Sequence, residues 1–192
     1  MKRVNSTKEH SLCVQPVFLI GTYNEDNMPN FCPITWVSVT YDNSEYLLVI
    51  SMNGSKKTKD NISRTGLLSA NLVSTDMLVL LDYFGSRSGK DGQKNDISFD
   101  YDDGHALHVP TLRLSRWVYE CKVMNTMQNG DAITYFCRME NVQIAEAMQK
   151  ADGLWGLDLT ILEPVIYSGM YHSIDKCLGK IGDFYKANSL AA

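Results

Sequence analysis

The sequence predicts a mainly β protein with short helices, folded as an antiparallel barrel. Six or more β-rich apolar runs follow one another along the chain. Most are joined by tight-turn residues, with Asn129-Gly130 a strong hairpin signal. The helical stretches are few and short, which argues against an alternating βαβ sheet.

The first half reads as a β-meander. Val17 to Thr22 is a strand and Asn24 to Asn30 a polar turn containing Pro29. Phe31 to Thr40 reads as one strand, central in the meander, and Tyr46 to Ser51 as the next. A helix is predicted from about Lys56 to Thr65, with Ser55 as N-cap and Gly66 just past its end. Leu67 to Val73 is a strand. Ser74 or Thr75 caps a second helix that runs through Phe84 and stops at Gly85. Gly85 to Gly104 carries no apolar period and reads as a long loop. Strands resume at Thr111 to Leu114, Trp117 to Met127 and Ala132 to Val142, with one more between Leu157 and Ser168. The apolar spacing from Ser173 to Ala187 is helical.

The 192 residues suit a single domain, with its core over about 16–187. A net charge of −4 argues against nucleic acid as a main partner. No apolar run approaches the roughly 20 residues of a membrane helix, and the N-terminus lacks the pattern of a signal peptide. The five cysteines are an odd number without a CxxC pair. That favours reduced thiols in a cytoplasmic protein over a disulfide framework or a zinc site. Cys121 and Cys137 lie in strand-like runs and read as core residues.

Two segments point to chemistry. In Ser51-Met52-Asn53-Gly54-Ser55-Lys56-Lys57-Thr58, two cations and a hydroxyl stand at the first turn of a helix that follows a strand. Unpaired N–H groups and the helix dipole favour an anion there, a phosphate above all. The second segment, Asn30 to Ser38, mixes Asn, Thr, Ser and Trp into a strand, so its polar groups need partners or line a cavity. Other signals are weaker. Gly85 to Asp91 has the wrong glycine spacing for a phosphate-binding P-loop, and Asp91 replaces its Ser or Thr. His105 and His108 lack a third metal ligand, Asp100, Asp102 and Asp103 read as a solvated loop, and no metal site is expected.

Several short motifs recur together: Pro16-Val17; Asn30-x-x-Pro33-Ile34-Thr35-Trp36; Ser51 with Lys56-Lys57-Thr58 and Asn61; and Ser69-Ala70-Asn71-Leu72. Ser88-Gly89-Lys90-Asp91 with Lys94, Glu120-Cys121-Lys122-Val123, and the tail around Tyr167, Tyr171, Leu178-Gly179 and Gly182 continue the series. In this order and spacing the chain resembles the flavin reductase-like family, in its flavoredoxin-type branch. The resemblance implies an FMN-binding split barrel, usually a homodimer, with FMN held non-covalently near the interface. Tyr167, Tyr171 and the tail are candidates for that interface. Carried over by position, Asn30, Phe31, Cys32, Pro33, Thr35 and Trp36 would meet the isoalloxazine ring. Lys57 and Thr58 would hold the phosphate, Lys94 would reach it from the long loop, and Ser51 and Asn71 would contribute. Relatives commonly carry Thr in place of Pro33, which has no N–H to donate. They often carry Asp in place of Gln93, which leaves Lys90 as a rival to Lys94.

The implied activity is hydride transfer from NADH or NADPH to FMN, with electrons passed to a flavin or a protein. The flavin supplies that chemistry, and no residue stands out as catalytic. Three alternatives follow: a non-enzymatic electron carrier reduced by a protein donor, a barrel for another planar ligand such as haem or pyridoxal phosphate, and a barrel without a cofactor.

Overall fold

The computed structural model describes residues 3–5, 13–42, 45–91, 94, 97–149 and 157–174. In chain order the elements are β1 (Gln15–Pro16), β2 (Phe18–Tyr23), β3 (Pro29–Ile34), β4 (Val37–Asp42), β5 (Glu45–Met52), α1 (Lys57–Thr65) and β6 (Leu67–Leu72). They continue with α2 (Leu78–Ser86), β7 (Tyr101–Asp103), β8 (Pro110–Leu112), β9 (Trp117–Asn129), β10 (Ala132–Ile144), β11 (Val165–Tyr167) and β12 (Tyr171–Ser173).

Seven strands pair antiparallel in the order β3-β2-β6-β9-β10-β5-β4. The edge strands β3 and β4 are consecutive in sequence, with only Thr35 and Trp36 between them. Three Cα steps reach at most about 11 Å, whereas the edges of a flat seven-stranded sheet lie about 29 Å apart. The sheet must therefore roll until its edges approach, and it stays open along a seam at Thr35-Trp36. There the Ser51 N–H donates to the Trp36 carbonyl at 2.9 Å.

Packing agrees with a rolled sheet. One buried cluster takes Phe18 and Ile20 from β2, Cys32 and Ile34 from β3, Val37 from β4 and Leu48, Ile50 and Met52 from β5. Leu68 and Ala70 of β6, Cys121 of β9, and Tyr135 and Cys137 of β10 complete it, so every strand contributes. A second cluster on the outer face of β2 and β3 joins Leu19 and Phe31 to Met77, Leu81 and Phe84 around α2. Both thiols expected in the core are there, and burial pushes Cys121 up and Cys137 up to about 12.

Several expectations change. The meander is interrupted: the single strand from Phe31 to Thr40 is two edge strands at opposite sides of the sheet. The inward positions Cys32 and Ile34 are followed by Val37, so the period of two slips where the chain crosses the seam. The helix start falls one residue late, with Lys56 in place of Ser55 as N-cap. Gly66 ends that helix as expected, at φ 68°. The second helix opens with a 3₁₀ turn at Thr75–Met77 and runs on to Ser86. The hairpin loop is Gly130-Asp131, since Asn129 pairs with Ala132, and Gly130 takes φ 61° at the first loop position. The long loop contains a 3₁₀ turn at Gly89–Asp91 and strand β7. β12 was not foreseen, and it takes Ser173, the first residue of the predicted tail helix; residues 175–187 of that helix lie outside the described residues.

Candidate functional site

β3, the start of α1 and the stretch after α2 enclose a cleft of about 330 Å³. Among the described residues its charged lining has one sign: Lys56, Lys57, Arg87 and Lys94. The N-terminus of α1 opens onto it. Lys56 is extended, at φ −140° and ψ 136°, and makes no side-chain cap bond. The first helical bonds run from the Lys59 and Asp60 N–H groups to the Lys56 carbonyl. The N–H groups of Lys57 and Thr58 therefore find no acceptor among the described residues, and their partial positive charge adds to that of the lysines.

The hydroxyl at this site is oriented from below. Asn30 Nδ2 donates to Thr58 Oγ1 at 2.9 Å and to Thr22 Oγ1 at 3.3 Å. Asn61 Nδ2 donates to Thr22 Oγ1 and to Asn24 Oδ1, both at 3.0 Å. Because its oxygen already accepts a bond, Thr58 keeps its own proton to donate. Asn30, expected at the ring, thus sits beside the helix start expected to hold the phosphate. Gly89 closes over it: a Cβ there would lie 2.4 Å from Asn30 Oδ1 and 3.1 Å from Lys57 Cβ. Gly89→Ala is expected to turn the Asn30 amide and weaken anion binding on the order of tenfold, equivalent to about 1.4 kcal/mol. The rise in melting temperature on adding inorganic phosphate measures it.

Lys94 is 7% exposed. Its ammonium donates to the Phe31 carbonyl at 2.7 Å and lies 5.8 Å from the centre of the Phe84 ring. Burial lowers its pKa, nearby Cys32 opposes that shift, and Lys56 adds to it. An ammonium has three N–H donors, and one is engaged among the described residues. Lys90, its rival, is paired with Asp60 at 3.1 Å and does not line the cleft. Lys57 lines it but is paired with Glu25 at 2.7 Å.

The remaining expected residues divide. Cys32 and Pro33 line the cleft. The Phe31 side chain is fully buried against Phe84 and Phe99, so only its carbonyl takes part. Thr35, Trp36 and Ser51 border a separate cavity of about 380 Å³ at the seam. Ser51 Oγ there shares a hydrogen bond with Thr134 Oγ1 at 3.1 Å. Asn71 is not brought to either space. Its Nδ2 donates to the Leu19 carbonyl and Ser69 Oγ, and its Oδ1 accepts the Leu112 N–H, which commits the amide to the fold. Sequence reasoning did not single out Phe84, Ser86 or Arg87, which line the cleft from the end of α2. Arg87 lies over the Tyr83 ring at 4.5 Å. Their sequence signals were the absence of an apolar period after Phe84 and the glycine-bounded run Gly85 to Asp91, set aside as a P-loop. Gln15 was also missed: its Oε1 is buried without a partner, beside Trp36.

A family model described as "Flavin reductase like domain" matches residues 10–174. The chain belongs to this family. None of the curated proteins matches it by sequence. Flavoredoxin of Desulfovibrio vulgaris (Miyazaki F) superposes with a TM-score of 0.84 at 21% identity, over 95% of this chain and 98% of that one. An FMN-binding protein from Thermus thermophilus, solved with p-hydroxybenzaldehyde, gives 0.74 at 18% identity, over 94% and 99%. A Shewanella frigidimarina structure described as having a split barrel domain gives 0.77 at 20% identity, over 87% and 85%. The flavin reductase-like chain thus shares their fold, and the rolled, unclosed sheet is the split barrel.

The residues of this flavin reductase-like protein suit a flavin phosphate ester. The cationic cleft, the open helix end and the Thr58 hydroxyl would meet the phosphate. The unpartnered Gln15 Oε1 offers an acceptor to the polar edge of a flat ring in the seam cavity. Among the described residues no group of three or more His, Cys, Asp and Glu side chains is placed to hold a metal, and no helix is long and apolar enough to cross a membrane. His108 is instead held between Asp103, at 2.9 Å, and Asn27, also at 2.9 Å.

Proposed function

We propose that this flavin reductase-like protein binds FMN and works as an NAD(P)H-dependent flavin oxidoreductase. The observation that carries the reading is the buried Lys94 ammonium. Among the described residues it has one acceptor, the Phe31 carbonyl, and it stands in a cleft with a cationic lining beside the open N-terminus of α1. A buried cation in that state is stabilised by an anionic ligand. Bound FMN would supply hydride acceptance and onward electron transfer. The protein's part is to hold and orient it: Lys57, Lys94 and Thr58 at the phosphate, Pro33 and Cys32 beside the ring, and Gln15, Thr35 and Trp36 at the seam. The FMN-binding description of the Thermus thermophilus neighbour supports this cofactor.

A homodimer in the cytoplasm is part of the same reading. Val39, Tyr41, Tyr46, Met124 and Met127 are all more than half exposed on strands β4, β5 and β9. Exposed apolar side chains of this kind are what partners cover. By contrast, Tyr171 donates to Asp82 at 3.2 Å and packs on Tyr167.

FMN fluorescence on titration with the protein tests the binding, with a Lys57→Ala/Thr58→Ala variant alongside. The expected result is saturable quenching that the variant loses. Absence of quenching overturns the reading. Rapid bleaching of bound FMN by NADH or NADPH alone is expected of a reductase, and its absence would leave a carrier reduced by a protein donor.

A further inference from the structure

The cleft does not end at its lysines. A second cavity of about 520 Å³ opens beyond them and shares Asn30, Lys57, Gly89 and Lys94 with the first. Besides the shared Lys57 and Lys94, the charged residues described in its lining are Glu25, Asp26, Asp60 and Lys90. Glu25 is fixed on Lys57 at 2.7 Å and Asp60 on Lys90 at 3.1 Å. Asp26 accepts the Met28 N–H at 3.1 Å, which holds it in the β2–β3 turn. Among the described residues, carboxylates thus line only the outer side, with the shared lysines at the boundary.

We propose that this outer carboxylate group makes the site selective for a terminal phosphate monoester and rejects ligands that continue through a diphosphate. The inference rests on the flavin reading above and adds a specificity to it. A monoester ends at the lysines, and its charge stays within the cationic cleft. A dinucleotide such as FAD must carry a second phosphate and a nucleoside past that boundary. The second phosphate then meets Glu25 and Asp60, and like charges repel. It also competes with both carboxylates for Lys57 and Lys90. The discrimination is electrostatic at a partly open surface, so it shrinks as salt is added.

The test is a fluorescence titration of FMN and of FAD with the native protein, Glu25→Gln, Asp60→Asn and the double variant. The Glu25 and Asp60 side chains are 62% and 52% exposed, so neither change disturbs the core, and circular dichroism verifies the fold. The native protein is expected to prefer FMN by tenfold or more. The double variant is expected to narrow that ratio about tenfold, chiefly through tighter FAD binding. Thermal shifts with inorganic phosphate and pyrophosphate provide the same comparison without a flavin. Equal native affinity for FMN and FAD, or a ratio unchanged in the double variant, overturns the selectivity. If neither flavin binds while phosphate still outcompetes pyrophosphate and the double variant levels them, the flavin reading fails and the selectivity stands.

Discussion

Glu120→Ala is expected to cost the fold about 3 kcal/mol or more, because each buried donor left without an acceptor costs about 1–3 kcal/mol. Glu120 is fully buried on β9. Its oxygens accept the backbone N–H groups of His105, Ala106 and Leu107 at 2.8 to 3.0 Å. They also accept Asn141 Nδ2 at 2.7 Å and Gln143 Nε2 at 2.8 Å. No cation joins this network among the described residues, so these donors alone replace water around the carboxylate. Burial pushes its pKa up, but the Asn141 and Gln143 amides and the Leu107 and Ala106 N–H groups outweigh that and hold it at about 2. A folded-state pKa below the unfolded one stabilises the protein above the unfolded value. That stability is lost as pH falls from about 4.5 through the folded value of about 2. The linked contribution is about 3 kcal/mol. Guanidinium denaturation at neutral pH should show the loss in Glu120→Ala. Stability measured against pH should fall between those two values in the native protein, and that component should vanish in Glu120→Gln. A loss below about 1 kcal/mol in the alanine variant would mean that the donors find other partners.

Lys94→Met should separate binding from stability. The ammonium is desolvated and bonded to one carbonyl. Replacing it with an apolar chain of similar length is expected to leave the free protein at least as stable, since burying an incompletely paired charge is unfavourable. Binding should move the other way. A hydrogen bond to a charged group contributes about 1.5–3 kcal/mol, so FMN affinity should fall by roughly ten- to a hundredfold. The signs also fix a pH effect. The Lys94 pKa is lowered in the folded state, so the unfolded chain binds more protons between the folded and unfolded values. Over that alkaline window the native protein should gain stability relative to Lys94→Met as pH rises. Paired melting curves with and without FMN measure all three. An unchanged affinity would remove Lys94 from the phosphate site.

The start of α1 was legible because its chemistry is local. A strand, a short turn and a helix first turn carrying Lys57 and Thr58 lie within one stretch of chain, and any fold that keeps those elements presents them together. The roll was legible only in part. Periodicity in Cys32, Ile34 and Val37 does record the slip at the seam, yet the run from Phe31 to Thr40 contains no Gly to mark a break. The opposition of Glu25 to Lys57 was not legible, because the pair is brought together by β2 and β3 rather than by spacing. Asn71 misled for the converse reason: its position in a motif says nothing of the three hydrogen bonds that hold it between β2, β6 and β8. The five donors around Glu120 come from one loop and one strand that meet only after the sheet has formed.

The seam has a further consequence for how this molecule can fail. The two strands without an outer neighbour in the main sheet, β3 and β4, are tethered by Thr35 and Trp36, and that tether keeps the roll curled. A proteolytic nick there would remove no residue from the core. It would, however, free both edges at once and let the sheet flatten, exposing two rows of unsatisfied backbone groups to other chains. Damage at two residues on the surface would then appear as polymerisation rather than as unfolding.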